Sequence, residues 1–361
     1  MTHTAPRIVA PPRPRATTTG AAPATTSDGE GEDVGALLEP FRRELTGYCY
    51  RMLGGAFEAD DAVQETMLRA WRSYDRFEGR SSLRSWLYRI ATNVCFDHLG
   101  SSKRRERPMG LGGPQPAEEQ YFGDVLAEDR WLEPMPDDAV LPREGDPADV
   151  AVGRESIRLA FVAALQHLPA RQRAVLVLRE VLRWSAAEVA ALLDTTVASV
   201  NSALQRARAT LGAKGLRRSG GEDGDGADAP EPQWSQIDHE LLERYLDAFE
   251  RYDMDALVAL LHEDAVLNMP PYTMWVHGRS EVIRWMTGPG AGCRGSRCVP
   301  VQANGSMAYG QYRRDPSGGW SPWGLAVLED DGSGRITGIT TFLDTATWFP
   351  RFGLPDRLPA L

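Results

Sequence analysis

The stretch that decides the fold runs from Trp184 to Leu211 and reads WSAAEVAALLDTTVASVNSALQRARATL. Ser185 and Glu188 have the spacing of a capping box, which predicts that a helix begins here. Asp194 and the two threonines after it interrupt the apolar pattern and supply a second N-cap. The pattern therefore predicts two short helices joined by a tight turn.

The second of these helices is predicted to have one apolar and one polar face. At helical spacing, the apolar positions are Val197, Val200, Leu204, Ala207 and Leu211. The opposite face carries small and polar side chains, which allow close approach to a major groove where glutamine can read base edges. A DNA-binding helix-turn-helix is the favoured interpretation, and an ordinary amphipathic helix pair is the alternative.

The charge of the chain is unevenly distributed. The 361 residues carry a net charge of −10, which by itself argues against a nucleic-acid ligand. Residues 34–107 and 151–218, however, carry net charges of +3 and +7, whereas residues 108–150 carry −9. Because phosphate neutralisation dominates affinity for nucleic acids, the two basic segments are the candidate DNA-binding parts.

The composition is that of a globular protein of the cytoplasm. No apolar run approaches the length of a membrane span, so no membrane partner is expected. Four cysteines are too few for a disulfide scaffold, which favours a reducing compartment and free thiols. Cys293 and Cys298 have no further metal ligands near them in sequence, so no metal and no cofactor are expected.

Changes in composition divide the chain into six parts. Residues 1–33 are predicted to be a disordered tail, residues 34–107 and 151–218 two all-α helical domains, and residues 108–150 an acidic linker. Residues 219–235 are predicted to be a flexible linker. Residues 236–361 begin with two helical segments, and strand-like runs broken by glycine follow, which predicts an α+β domain with a curved antiparallel sheet.

A helix is predicted over Asp60–Tyr74. Its buried side is expected to hold Val63, Met67, Ala70 and Trp71. A second stripe, called the polar stripe below, is mainly hydrophilic but contains one leucine; it consists of Asp61, Gln64, Glu65, Leu68 and Arg72. A leucine among polar groups favours a protein partner, and a plain solvated face remains the alternative.

The next helical segment, Phe77 to Leu99, reads FEGRSSLRSWLYRIATNVCFDHL. Ser81 or Ser82 is predicted to cap the helix, with Trp86, Leu87, Ile90 and Val94 on its buried side. The other side interleaves arginines with aromatic rings, an arrangement that suits single-stranded DNA. The alternative is a helix buried on both sides, with Tyr88 and Phe96 in a second core contact.

Together these segments resemble the extracytoplasmic-function type of sigma factor in the sigma-70 family. DDAVQETMLRAW resembles the region 2 helix that binds the polymerase clamp, and the Phe77–Leu99 segment resembles the part that reads and melts the −10 element. Leu168–Leu211 resembles region 4, which reads the −35 element. The resemblance implies core RNA polymerase and promoter DNA as partners.

The resemblance also assigns residues to roles. It implies polymerase contacts along the polar stripe. The implied −10 contacts, called the −10 set below, are Arg80, Arg84, Tyr88, Arg89, Thr92, Asn93 and Phe96. The implied −35 contacts, called the −35 set, are Thr195, Thr196, Ser199, Asn201, Ser202, Gln205, Arg206 and Arg208. Leu83 and Asn201 depart from residues common in the family, so the preferred promoter sequence is left open.

The C-terminal part, residues 236–361, is similar to SnoaL-like domains of the nuclear-transport-factor-like cone fold. WLEPMPDD (Trp131–Asp138) looks like a linker signature of sigma factors that carry such a domain, which implies regulation by a fused domain. Relatives of the cone include isomerases and hydrolases with an Asp or His base, but Asn268 and its neighbours stand where the base would follow the first strand. The remaining candidates are His262, His277 and Asp344.

Two functions are therefore compared. The first is a promoter-specificity subunit without catalysis, tuned by its C-terminal domain. The second is a SnoaL-like small-molecule isomerase or hydrolase with a DNA-binding appendage. A small ligand in the cone is compatible with either, because five tryptophans are expected either to line a pocket or to fill the core: Trp275, Trp285, Trp320, Trp323 and Trp348.

Overall fold

The computed structural model describes residues 34–101, 105–117, 124–127, 130–142, 146–213 and 236–360. The predicted tail (1–33) and the predicted flexible linker (219–235) lie outside these ranges. Within the described parts, no helix combines the length and apolar character needed to cross a membrane.

The first helical unit consists of α1 (Arg42–Leu53), α2 (Ala56–Ser73) and α3 (Leu83–Ser101). Its core contains Tyr48 and Met52 of α1 together with Val63 of α2 and Leu87 of α3. Ser82 caps α3, since its Oγ accepts a hydrogen bond from the Ser85 N–H at 3.1 Å. The prediction for the buried side of α2 was wrong at Trp71, which is 50% exposed at the end of the helix.

The second helical unit follows a single helical turn, α4 (Asp137–Val140), in the linker. It comprises α5 (Pro147–Glu155), α6 (Leu159–Gln166), α7 (Ala170–Leu176), α8 (Ala186–Leu192) and α9 (Val197–Ala213). The capping box of Ser185 and Glu188 is present at α8. Asp194, with a φ of 49°, makes the turn into α9.

The C-terminal unit is an α+β domain, as predicted. It contains α10 (Gln236–Arg251), α11 (Met254–Leu260), α12 (Arg279–Thr287) and α13 (Thr345–Arg351). Six strands form one sheet: β1 (Leu261–Asn268), β2 (Trp275–His277), β3 (Arg297–Ala303), β4 (Ser306–Arg314), β5 (Trp320–Asp330) and β6 (Ile336–Phe342).

The sheet is mixed, which corrects the prediction of an antiparallel sheet. Its strand order is β2-β1-β6-β5-β4-β3, and β1 pairs in parallel with β6 while the other neighbours are antiparallel. The parallel pair joins the first strand of the sheet to the last one, a long-range pairing that strand periodicity does not reveal.

The two faces of the sheet have different partners. Helices α10, α11 and α12 cover one face, around Tyr245, Leu257, Trp285 and Tyr309. The other face continues into the core of the helical units; its apolar residues are Tyr312, Leu325, Val327 and Phe342. The sheet thus stands between its own helices and the two helical units.

Part of the segment predicted as a linker is built into this junction. Trp131, Leu132 and Met135 are buried, and single β-bridges join Glu106 to Trp131 and Pro136 to Ala303. The many prolines, glycines and acids of this segment indicated a solvated connection, but its apolar residues pack between the sheet and the helices.

Candidate promoter and polymerase interfaces

The polar face of α9 is exposed along its length. Within the −35 set, Thr195 is half-buried, and the exposed members are Thr196, Ser199, Asn201, Ser202, Gln205, Arg206 and Arg208. Thr196 also caps the helix, since its Oγ1 accepts a hydrogen bond from the Ser199 N–H at 3.1 Å. The opposite face packs into the helical unit at Val200, Leu204, Ala207 and Leu211, whereas Val197 is exposed, contrary to the prediction.

Arg208 has a partner within its own unit. Its Nε lies 2.8 Å from Glu180 Oε1, next to the end of α7. This pair is on the surface, where such bonds are worth little, so a phosphate can replace the carboxylate at small cost. The rest of this face presents small and polar side chains to solvent.

The −10 set is only partly accessible. Arg80, Arg89 and Asn93 are exposed, and Arg84 and Phe96 are half-buried. Tyr88 and Thr92 are fully buried in the core of the first unit. The Thr92 hydroxyl lies 2.8 Å from the hydroxyl of Tyr48 there. In this arrangement Tyr88 and Thr92 cannot touch DNA, which corrects the expected exposure of both and matches the alternative for Tyr88.

The second helical unit covers this side of α3. The ring of Trp184 lies 5.1 Å from that of Tyr88, and the Arg84 guanidinium lies 5.4 Å from the Trp184 ring. Arg89 donates a 2.6 Å hydrogen bond to the Ala191 carbonyl at the end of α8. The helix-turn-helix is therefore docked directly on α3.

Two buried arginines strengthen the contact between the helical units. Arg51 of α1 donates to Ser156 Oγ at 2.9 Å and to the Gly153 carbonyl at 3.1 Å. Arg173 of α7 donates to the carbonyl of Met52, at the end of α1. Burial lowers the pKa of both guanidinium groups to about 10, so both stay charged at neutral pH.

The polar stripe of α2 is open to solvent. Leu68 is 40% exposed, and Asp61, Gln64 and Arg72 are exposed beside it. Glu65 is half-buried and pairs with Arg69 at 2.7 Å. Trp71 extends the apolar part of the stripe, which gives two large exposed apolar side chains one helical turn apart. This pair makes the stripe a candidate protein-binding surface.

The hairpin between β3 and β4 enters the junction of all three units. Asn304, fully buried at its tip, accepts a 2.9 Å hydrogen bond from the Met135 N–H through its side-chain oxygen. Its side-chain nitrogen donates to the Tyr50 hydroxyl at 2.6 Å and to the Ile157 carbonyl at 2.9 Å. One amide therefore links the linker, α1 and the start of the second helical unit.

The next residue, Gly305, lies where there is no room for a side chain. Its φ is +62°, and a Cβ at this position would lie 2.4 Å from the Arg154 carbonyl oxygen. Its N–H donates a 2.7 Å hydrogen bond to Asp137 Oδ1. Sequence reasoning missed Asn304, Gly305 and Tyr50: an Asn-Gly pair between two strands signals a hairpin turn but does not show what the turn contacts.

Charged groups in the linker complete the junction. Glu133 accepts hydrogen bonds from the Ala56 and Phe57 N–H groups at the start of α2, at 2.7 and 3.2 Å. Arg105 pairs with Glu133 at 3.2 Å and also with Glu58. Burial raises the pKa of Asp137 to about 6, although the Gly305 N–H opposes the shift.

The candidate base residues lie away from the interior of the cone. Asp344 is the exposed N-cap residue of α13. At the surface, Asp264 has one carboxylate oxygen 4.0 Å from His262 Nδ1 and the other 3.9 Å from His277 Nε2. Asn268 lies on the junction side of the sheet, where its amide donates to Thr340 Oγ1 at 3.1 Å. A cavity beside Asn268, Leu132 and Leu159 has room for about one water molecule.

The tryptophans do not form one lining. Trp285 belongs to the core under α10–α12, whereas Trp320 and Trp348 belong to the core on the other face. Trp275 donates to the Gly112 carbonyl at 3.0 Å, and Trp323 stacks under Arg313. Three of the five therefore lie in hydrophobic cores, in agreement with the core alternative, but in two cores rather than one, and the five do not line a common pocket.

Comparison with known proteins gives three matched family models. Sigma-70 region 2 matches residues 37–105, Sigma-70 region 4 matches residues 158–211, and the SnoaL-like domain matches residues 242–342. The chain is 45% identical to the ECF RNA polymerase sigma factor SigG of Mycobacterium tuberculosis (strain ATCC 25618 / H37Rv) over 336 residues, which covers 92% of this chain and 86% of that protein.

A second sigma factor is similar in sequence and in fold. The ECF RNA polymerase sigma factor SigJ of the same organism is 28% identical over 258 residues, covering 70% of this chain and 71% of that protein. The crystal structure of SigJ superposes with a TM-score of 0.54 at 21% identity, covering 89% of this chain and 99% of that one. The chain therefore belongs to the extracytoplasmic-function RNA polymerase sigma factors, and it carries a SnoaL-like domain after its two sigma regions.

Proposed function

We propose that this sigma factor is held in a closed form by its SnoaL-like domain and must open to bind a promoter. The closed form is the arrangement in which the helix-turn-helix is docked on α3. The proposal adds a regulatory step to the activity of a sigma factor, which directs core RNA polymerase to promoters.

The separation of the promoter elements supports this proposal. Elements centred near positions −10 and −35 are about 25 base pairs apart, which is roughly 85 Å of B-form DNA at 3.4 Å per base pair. In the closed form, by contrast, Trp184 and Tyr88 are in ring contact at 5.1 Å. Helix α9 has 17 residues and is only about 26 Å long. The two regions must therefore separate before both elements are read.

The buried Asn304 is the observation that carries the proposal. Its hydrogen bonds to Met135, Tyr50 and Ile157 cross from the SnoaL-like domain to the linker and to both sigma regions. Removing the amide leaves the buried Met135 N–H and Ile157 carbonyl without this partner, each at a cost of about 1–3 kcal/mol, while the Tyr50 hydroxyl keeps its bond to the Glu133 carbonyl. Opening exposes these groups to water, so Asn304→Ala is expected to shift the equilibrium towards the open form.

A distance measurement tests this expectation. With donor and acceptor dyes at the exposed positions Asp75 and Gly212, Asn304→Ala should lower energy transfer and raise binding to promoter DNA by roughly tenfold or more. Gly305→Ala should act in the same direction, since its Cβ would clash with the Arg154 carbonyl. The matched control is Gly318→Ala, which imposes a similar backbone strain at a φ of +99° but meets no atom within 4 Å.

Circular dichroism and energy transfer together distinguish opening of the folded protein from unfolding. If Asn304→Ala keeps its helical circular dichroism but shows lower energy transfer, the variant is folded and more open. That result supports the proposal that the junction holds the protein closed. If Asn304→Ala keeps the fold and leaves both energy transfer and promoter binding at the level of Gly318→Ala, the junction does not hold the protein closed.

We also propose that polymerase binds the polar stripe, that the −35 set and the −10 set apart from the buried Tyr88 and Thr92 contact promoter DNA, and that the SnoaL-like domain has no catalytic role. The surface position of His262, His277 and Asp344 supports the last point. Run-off transcription by His277→Ala and Asp344→Asn should stay within about twofold of the wild type. Asn can keep the cap of α13, so loss of activity in that variant would argue for chemistry at Asp344.

A further inference from the structure

Helix α13 of the SnoaL-like domain packs on the beginning of α2. The ring of Trp348 lies 5.5 Å from that of Phe57, and the Arg351 guanidinium lies 5.2 Å from the same ring. Arg351 Nη1 also pairs with Asp60 Oδ2 at 2.8 Å. The Arg351 side chain is only 17% exposed, whereas Asp60 is 48% exposed, so the contact is partly open to solvent.

Phe57 belongs to the same face of α2 as the polar stripe. Positions 57, 61, 64, 68 and 72 recur at intervals of three and four residues, which places them in one row along the helix. Phe57 is 44% exposed even under α13. It therefore forms, with Leu68 and Trp71, an apolar series along the proposed polymerase surface.

A polymerase footprint of ordinary size reaches the α13 contact. A stable interface buries about 800 Å² on each partner, which as a disc has a radius of roughly 16 Å. Phe57 is eight residues before Glu65, or about 12 Å along the helix axis. A footprint centred on the polar stripe thus covers the Phe57 ring and the Asp60 carboxylate, which α13 already contacts.

We propose that α13 and core RNA polymerase compete for the beginning of α2. This inference rests on the proposed role of the polar stripe as the polymerase surface. Helix α13 can act as a reversible cover because it contacts α2 at only three points: the Trp348–Phe57 ring contact, the arginine stacked on Phe57 and one ion pair. Its other side is anchored by Phe349 in the core, against Tyr312 of β4. Core polymerase would displace it in favour of a much larger contact.

The experiment measures the affinity of the full chain for core RNA polymerase. Arg351→Ala removes both the ion pair with Asp60 and the stacking on Phe57, and it should tighten binding by about threefold to tenfold. The control is Arg357→Ala, on the same C-terminal segment, whose guanidinium donates to Ser317 Oγ at 2.7 Å and faces away from α2. This control should bind like the wild type.

A photo-crosslinking residue at Phe57 gives a second readout that does not depend on affinity. In the free protein it should crosslink to α13, and in the holoenzyme it should crosslink to a polymerase subunit. Persistence of the crosslink to α13 at saturating polymerase, or weaker binding by Arg351→Ala, would overturn the competition. Weaker binding would show instead that α13 is part of the polymerase surface.

One further variant separates this inference from the function on which it rests. Leu68→Arg should abolish polymerase binding in both the wild-type and the Arg351→Ala background. If Leu68→Arg binds normally, the polar stripe is not the polymerase surface. If it abolishes binding while Arg351→Ala has no effect, the stripe is correct and the competition is wrong.

Discussion

On α9, neighbouring residues are suited to different parts of DNA. Gln205 is exposed on the face opposite the apolar side of the helix and can form a bidentate contact with one base, whereas Arg206 offers charge to the phosphates. We expect Gln205→Ala to change the preferred base at one position of the −35 element, at a cost of about 1–3 kcal/mol. Arg206→Ala should weaken binding to all sequences and reduce the salt dependence by about one ion.

Binding to a library of −35 sequences at several salt concentrations distinguishes the two effects. The proposed division fails if Gln205→Ala weakens every sequence equally, or if Arg206→Ala changes the preferred sequence.

Asp137 makes the closed form sensitive to pH. Burial raises its pKa from the ordinary 3.8 to about 6, with Asp138 adding to the shift and Arg154 opposing it. A raised pKa means that protonation stabilises the closed form. This contribution is fully present below about pH 4 and is lost as the pH rises through about 6. Between pH 7.5 and 5.5, acidification is therefore expected to increase energy transfer between the dyes on the two sigma regions.

Asp137→Asn isolates this carboxyl from the other titrating groups. The amide oxygen can still accept the Gly305 N–H, and the side chain carries no charge at any pH. The variant should be more closed than the wild type at pH 7.5 and equal to it at pH 5. An unchanged pH dependence in Asp137→Asn would assign the effect to another group.

The sequence predicts exposure along α9 better than along α3, for a physical reason. Helical periodicity reports which side of a helix is apolar, and on α9 the polar side faces solvent apart from the Arg208–Glu180 pair. On α3, Tyr88 and Thr92 combine apolar bodies with hydroxyl groups, so they suit a core contact as well as a DNA surface. The Tyr88 contact with Trp184 depends on a unit almost 100 residues away, which no local pattern reveals.

At the level of elements, one face of α2 has a beginning that α13 covers and, further along, the open polar stripe. Leu68→Arg replaces an exposed apolar side chain, so the helix should remain folded while an apolar interface is lost. We expect this variant to bind core polymerase at least 100-fold more weakly in a pull-down or titration, with unchanged helical circular dichroism. Asp75→Arg, at an exposed position past the end of α2, serves as the charge control.

The strands were predicted well because each one is a short run bounded by glycine or a turn. The Asn-Gly and Gly-Gly pairs before β4 and β5 mark hairpins, whose antiparallel pairing follows from their short loops. The parallel pairing of β1 with β6 was not predicted, because it joins strands about 70 residues apart. Burial of the linker was missed for a similar reason: its apolar residues are spaced without helical or strand periodicity.

At the level of the whole molecule, the junction face of the sheet and the helical units share one core. Phe342 of β6 borders the same small cavity as Leu132 of the linker and Leu159 of α6. Removal of the SnoaL-like domain would therefore expose apolar surface on the sigma regions, so a truncated chain is a poor test of regulation. Substitutions on the two faces of a single strand are a sharper test.

Phe342 and Ile339 of β6 point to opposite faces of the sheet: Phe342 towards the sigma regions and Ile339 towards α10–α12. Replacing either by alanine should cost about 2–5 kcal/mol through the lost contacts and the cavity. If the core is shared, Phe342→Ala should accelerate hydrogen exchange in α6 and in the linker around Leu132, in addition to β6. Ile339→Ala should accelerate exchange mainly in α10 and α11 at a similar loss of stability. If α6 is equally protected from hydrogen exchange in the two variants, the SnoaL-like domain is stable independently of the sigma regions. The junction face of its sheet could then not hold the closed form.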